Sequence, residues 1–354
     1  MQILQLPPEV LLMIARVLSD DSVSLRNLCL ANKATYSLLC PVLYQRVQLS
    51  SASAVTSFCC AATSSRLQSA NYTVLLQIGP PVLFITEYGV GFRLRKDLVP
   101  QLRDALEVMP NLRSLSLSTT RKALVLLLND FKPPFQLYEM EHSVGLSTPL
   151  LRFWEKQPSI KKIGWRFAVT DKEVYRLSGW LTKNPNLLPQ LNEVSGDFRF
   201  VASLVVLRPI SKILISGALD YILAGPWMDH TMRPLSVPIS SVCFTEPRHN
   251  WFVWRHLLQI FRDAGVCSTI RDLCVVDMFS GTTDLENLHM PGALEDFEHV
   301  LKGFDALERL EIHGPLAHER NVRRWLAEKQ MECLSAWTRA PSLKSAIIYN
   351  YELQ

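Results

Sequence analysis

Leu112-Arg113-Ser114-Leu115-Ser116-Leu117 places apolar residues at its first, fourth and sixth positions and small polar ones between the last two. That alternation of period two belongs to a strand buried on one face only. The same template, apolar-x-x-apolar-x-apolar, returns as Ile160/Ile163/Trp165, Ile210/Ile213/Ile215, Ile239/Val242/Phe244, Ile270/Leu273/Val275, Leu307/Leu310/Ile312 and Leu343/Ala346/Ile348. Pro110, Pro158, Pro209, Pro238 and Pro341 stand one or two residues before five of these starts, as breakers at the entrance of a unit. A weaker copy begins at Leu191/Val194, and Tyr72 to Ile78 alternates in the same way before Gly79-Pro80-Pro81, so the series begins near residue 72.

Between strands the period changes to that of a helix. Leu102, Ala105, Leu106 and Met109 precede the first template; Trp251, Trp254, Leu258 and Phe261 precede the fifth; Leu294, Phe297, Leu301 and Phe304 precede the sixth. Strands that alternate with amphipathic helices predict an α/β fold with a parallel sheet. No single unit can cover its own apolar face, so the units must stack. The pattern resembles a degenerate leucine-rich-repeat array, which implies an irregular solenoid with a parallel sheet on the concave face and helices outside. It lacks the regular Asn or Cys ladder position and its unit length is uneven; an ordinary α/β domain is the alternative. Polar positions between the apolar ones then line the concave face: Ser114, Ser116, Ser216, Ser241, Thr245 and, as candidate target-binding residues, Lys162, Arg166, Lys212, Asp272, Arg309, Glu311, His313 and Tyr349.

Upstream of the repeats lies a denser apolar segment, Leu6-Pro7-Pro8-Glu9-Val10-Leu11-Leu12-Met13-Ile14 continuing to Leu18. Pro7 and Pro8 suit a helix entrance, and Arg16 is the one clearly polar residue in the run from Val10 to Leu18. Asp20, Asp21 and Ser22 offer capping oxygens to a second helix carrying Leu25, Leu28 and Cys29. Asn32 can cap a third helix, carrying Tyr36, Leu39 and Cys40 up to an interruption at Pro41, with Val42, Leu43, Tyr44 and Val47 extending the apolar face. Three short helices that are apolar on nearly every side predict a surface for another chain.

This order of residues resembles the F-box family over about residues 4 to 48. The Leu-Pro-x-Glu start, the spacing of Ile14 and Leu18, and the Leu30-Ala31-Asn32-Lys33 ending match the family pattern, whereas Ser22-Val23 and Ala31 depart from it. The resemblance implies an F-box at 1–49 followed by a repeat domain for target binding at 50–354. It implies docking to a Skp adaptor, and through it to a cullin scaffold, by Leu6, Pro7, Glu9, Leu11, Ile14, Leu18, Leu25, Leu28 and Lys33. The chain would then be the substrate-recognition subunit of a ubiquitin ligase, holding an unknown target protein near a conjugating enzyme by proximity. A scaffold that uses the adaptor without ubiquitination, or an enzyme on a parallel-sheet fold, are the competing readings.

Composition bounds the rest. With 354 residues, 48% of them hydrophobic and 20% charged, the chain can bury a large core beyond the N-terminal module. Its 37 basic and 33 acidic residues form no long like-charged run, which argues against a nucleic-acid partner, and Arg320, Arg323 and Arg324 read as a solvated helix face. Eight cysteines without C-x-x-C spacing, several of them at apolar positions and Cys59-Cys60 continuing an apolar helix face, read as reduced thiols, which fits a cytoplasmic or nuclear protein. Neither a secretory leader nor a membrane span is expected, since no run of about 18 apolar residues occurs. Ser50 to Ala70, with Val55, Phe58 and Cys59 at helical spacing, reads as a short packed helix at the junction.

A search for chemistry returns little. Gly89-Val90-Gly91 lacks the remainder of a phosphate loop, no Gly-x-Ser-x-Gly elbow occurs, and His313 and His318 are not spaced to share a helix face. Asp229-His230 and Glu246 to His249 have no nucleophile assigned to them. The sequence therefore points to no catalytic residue, no metal and no cofactor.

Overall fold

The computed structural model describes residues 6–64, 69–79, 92–165, 169–216, 237–246, 259, 261–262, 265–277, 303–313, 342–348 and 351–353. Outside them lie Arg166, Tyr349, the Gly89-Val90-Gly91 turn, Asp229, His230, His249, His318, the Arg320 cluster, and the predicted helix positions Trp251, Trp254, Leu258, Leu294, Phe297 and Leu301.

The chain divides into two compact units, one formed by Met1–Lys161 with Asn186–Leu188 and the other by Lys162–Pro185 with Pro189–Gln354. The first begins with the three expected helices, α1 (Pro8–Val17), α2 (Ser22–Cys29) and α3 (Lys33–Leu43). Asp21 caps α2 by accepting from the Ser24 amide at 3.1 Å, and Asn32 caps α3 by accepting from the Thr35 amide at 2.7 Å. Leu11, Ala15, Leu25, Cys29 and Leu39 close into a small core, with Leu6, Leu12, Leu18, Leu28 and Tyr36 packed around it.

Pro41 does not interrupt α3, contrary to expectation; the helix carries it in its last turn and ends at Leu43. There the missing N–H removes a single helical bond close to the end, where fraying makes its loss small. Val42 and Leu43 do continue its apolar face against the three-helix core, but Tyr44 and Val47 lie beyond the helix. Arg46–Leu49 forms a strand, β1, which pairs in parallel with β2 (Leu75–Ile78).

From β1 onward strand and helix alternate: α4 (Ala52–Thr63), β2, α5 (Val99–Glu107), β3 (Ser114–Leu117), α6 (Arg121–Leu128), β4 (Glu139–His142) and α7 (Thr148–Glu155). The strands pair in chain order, all parallel, and place Val47, Leu76, Leu115 and Met140 in one row and Leu49, Ile78, Leu117 and His142 in the next. Both rows are buried, and they form the core with the inner sides of the helices. Parallel neighbours cannot be joined by a tight turn, so the helices are the connections as well as the cover.

Strand β4 was not expected. Its template reads Leu137/Met140/His142, with a histidine in the third apolar place. That imidazole is wholly buried, its Nδ1 2.9 Å from the Val144 carbonyl oxygen and its ring 5.9 Å from that of Trp154. A buried ring bonded to the backbone through Nδ1 takes the place of an aliphatic side chain there.

The second unit holds β5 (Lys162–Trp165), α8 (Asp171–Lys183), β6 (Glu193–Gly196), α9 (Phe198–Val205), β7 (Lys212–Ser216), β8 (Ser241–Glu246), β9 (Asp272–Asp277), β10 (Arg309–His313), β11 (Ser345–Ile348) and β12 (Tyr351–Leu353). Strands β5 to β11 pair in chain order and in parallel; β12 pairs antiparallel with β11. The fold class is therefore α/β, with eleven strands in parallel pairings among the described residues.

The faint copy at Leu191/Val194 is the full strand β6, and its weakness has a steric cause. Its third template place is Gly196, at φ 150°, where a Cβ atom would lie 2.9 Å from the Trp165 carbonyl oxygen and 3.1 Å from the Trp165 Cβ. Trp165 of β5 and Phe200 of α9, their rings 4.7 Å apart and tilted at 52°, fill the space that a second side chain would need, with Phe200 Cδ1 only 3.2 Å from that Cβ. Gly196→Ala is expected to lower stability by about 1–3 kcal/mol, read from the denaturant midpoint. Gly179→Ala in α8, where an added Cβ meets nothing within 4 Å, is expected to raise it by up to about 1 kcal/mol.

Candidate functional site

Two surfaces carry the residues that the sequence singles out, one in each unit. On the first, α1 turns Leu11 and Ala15 inward, which leaves Val10, Met13 and Val17 on the opposite side at i, i+3 and i+7. Met13 is 65% and Val17 84% exposed. Val23 of α2 and Leu30 just past its end are each 67% exposed. Of the nine large apolar side chains exposed among the described residues, these make five. The concentration within residues 10 to 30 separates them from the scattered apolar residues of an ordinary surface.

The expected adaptor contacts divide between core and surface. Leu11 and Leu25 are buried in the three-helix core, with Leu6, Leu18 and Leu28 half-buried against it, and Ile14 is half-buried on α1. Pro7, Glu9 and Lys33 are exposed, Pro7 with its carbonyl accepting from the amides of Val10 and Leu11. Sequence reasoning did not select Val10, Met13, Val17, Val23 and Leu30. The spacing of 10, 13 and 17 was visible, but a helix apolar on every side does not reveal which face its own domain covers.

Asp21, which holds the start of α2, is an exposed carboxylate pulled below its ordinary value, chiefly by hydrogen bonds from the Ser24 side chain and amide. A carboxylate whose folded value is lowered stabilises fully above its ordinary value and loses that contribution as pH falls through the lowered one. The stability difference between the wild type and Asp21→Ala is therefore expected to be constant above about pH 5 and to shrink on acidification below it, as measured by urea denaturation.

The second surface is the face of β5 to β10 that points away from the core. Its first row runs Lys162, Glu193, Lys212, Ser241, Asp272, Arg309, one residue from each strand. Lys162 is half-buried, its Nζ 3.1 Å from Glu193 Oε1, whereas Lys212, Asp272 and Arg309 are exposed. In the next row Cys243, Cys274 and Glu311 stand side by side on β8, β9 and β10, and His313 follows two places along β10. Glu311 is held from two sides: the Arg309 guanidinium is ion-paired with it, and His313 Nε2 lies 3.0 Å from its Oε2. The hydrogen bond from His313, aided by Arg309, keeps the Glu311 carboxyl below its ordinary range.

Both cysteines stand on this outward face and not in the core. Cys243 lies between the buried Val242 and Phe244, and Cys274 between the buried Leu273 and Val275, so strand parity turns both outward, half-buried. That parity was legible in the same template that placed Ser241 and Thr245. The thiol of Cys243 is pushed up by its hydrogen bond to Cys274 and by burial; Cys274 is drawn down, first by that hydrogen bond and then by His313 and Arg309. Cys274 Sγ, a Glu311 carboxylate oxygen and a His313 ring nitrogen lie within 4.8 Å of one another, the one such donor group among the described residues.

In the first unit the outward positions Ser114 and Ser116 donate to Glu139 and Glu141 of the adjacent strand, at 3.1 and 3.4 Å. No protein-family model matches this chain, and no curated protein matches it. Among the described residues no helix is long and apolar enough to cross a membrane.

Proposed function

We propose that the chain is the substrate-recognition subunit of a Skp-cullin-F-box ubiquitin ligase. In this reading the three N-terminal helices are an F-box that holds the Skp adaptor, and the strand-helix units form an irregular leucine-rich-repeat solenoid that holds a target protein. The observation that carries it is the exposed apolar group Val10, Met13, Val17, Val23 and Leu30 on a helical module whose other side is already a closed core. A concentration of exposed apolar side chains of this kind favours burial against another chain. Leu11 and Leu25 then support the docking helices from beneath, while the exposed Glu9 and Lys33 supply polar contacts and the exposed Pro7 opens the first helix. The target side is a sheet face of paired charges, and the chain contributes rigidity and position where the ligase's conjugating partner contributes chemistry.

The test is co-expression of the full chain with a Skp adaptor and size-exclusion chromatography of the product. A one-to-one complex is expected for the wild type. Met13→Glu/Val17→Glu, which alters exposed positions only, is expected to weaken it by about 30-fold or more without changing the circular dichroism of the free chain. A soluble, folded wild-type chain that forms no complex, or a complex indifferent to the double substitution, would overturn the proposal.

A further inference from the structure

Cys243, Cys274, Glu311 and His313 have no task in docking an adaptor, and their placement is unusual for a solvated sheet face. Two thiols, a carboxylate and an imidazole project from the same side of three consecutive strands, and the parallel register sets Cys243, Cys274 and Glu311 directly beside one another. All four side chains are partly buried.

We propose that these four side chains form a binding site for a thiophilic divalent cation of the zinc type. Donor chemistry selects the ion: two sulfurs and an imidazole with one carboxylate suit tetrahedral zinc and disfavour magnesium or calcium, which require oxygen donors. Geometry permits it. With metal-ligand bonds of about 2.0–2.3 Å, the donors of a tetrahedral site stand about 3.5 Å apart. Cys274, Glu311 and His313 already have their donor atoms within 4.8 Å, and the register sets Cys243 directly beside Cys274. Side-chain rotation closes the rest, because the sheet holds the four Cα positions. The cation takes the place of His313 as the partner of one Glu311 oxygen, and Arg309, paired with that carboxylate, stays as the neighbour that orients it. An occupied site would clip β8, β9 and β10 together on the face open to a partner.

The measurement is titration of the full, reduced, metal-free chain with cobalt(II), read by absorption. One equivalent is expected to produce thiolate-to-cobalt charge-transfer absorption and the visible bands of a tetrahedral ion, and zinc is expected to abolish both by displacement. Cys274→Ser should remove the charge-transfer intensity contributed by that thiolate and weaken binding by about 100-fold. His313→Gln, at a half-exposed position that the fold does not need, should weaken binding by about 10-fold or more. Cys60→Ser, an exposed thiol in the first unit, should change nothing. The absence of any saturable spectrum, or a spectrum unaltered by His313→Gln, would overturn the proposal.

Discussion

Parallel pairing in chain order is the constraint from which the remainder of the structure follows. Each strand presents two inward side chains, and neither is removed from water until the next unit lies alongside. A parallel neighbour is reached only by a crossover, so a helix must cross the sheet and lie against the same inward rows. In the first unit Trp154 of α7 does this beside His142 and Met140, donating its indole N–H to the Met140 sulfur at 3.3 Å. In the second, Phe200 of α9 does the same against Trp165. Unit length can vary because only the rung has to be preserved.

This explains how much of the fold could be read from the chain and where reading failed. The seven regular templates were legible because burial imposes the same apolar places each time. Among the parallel strands, three escaped or looked weak for separate reasons. Tyr44/Val47/Leu49 satisfies the template at β1, but it follows a helix whose apolar spacing runs into it. His142 fills an aliphatic place with a polar ring, and Gly196 leaves its place empty because Trp165 overfills the adjacent one. The last two are choices made between strands, and no scan of a single strand contains them.

The two candidate surfaces were legible to different depths. Strand parity has two values, so one buried neighbour decides which way Cys243 or Glu311 points. Helix phase is continuous, and α1 is apolar on nearly every side, so its packing on Leu25 and Leu39 decides that Leu11 and Ala15 face in and that Met13 and Val17 face out. The N-terminal module was therefore recognisable as a docking element before its docking face could be drawn.

The charge row along β5 to β10 alternates in sign, Lys162 with Glu193, then Lys212, then Asp272 with Arg309, and Glu311 opposes Arg309 in the row beyond. Opposite charges on neighbouring strands cancel within a few ångströms, so the face projects little field into solvent. A protein arriving there gains no long-range attraction, and its association rate belongs to the unsteered range, about 10⁵–10⁷ M⁻¹ s⁻¹, with slight dependence on ionic strength. Selectivity on such a face rests on how long a correct partner stays, through contacts that re-pair these charges, more than on how quickly it is drawn in.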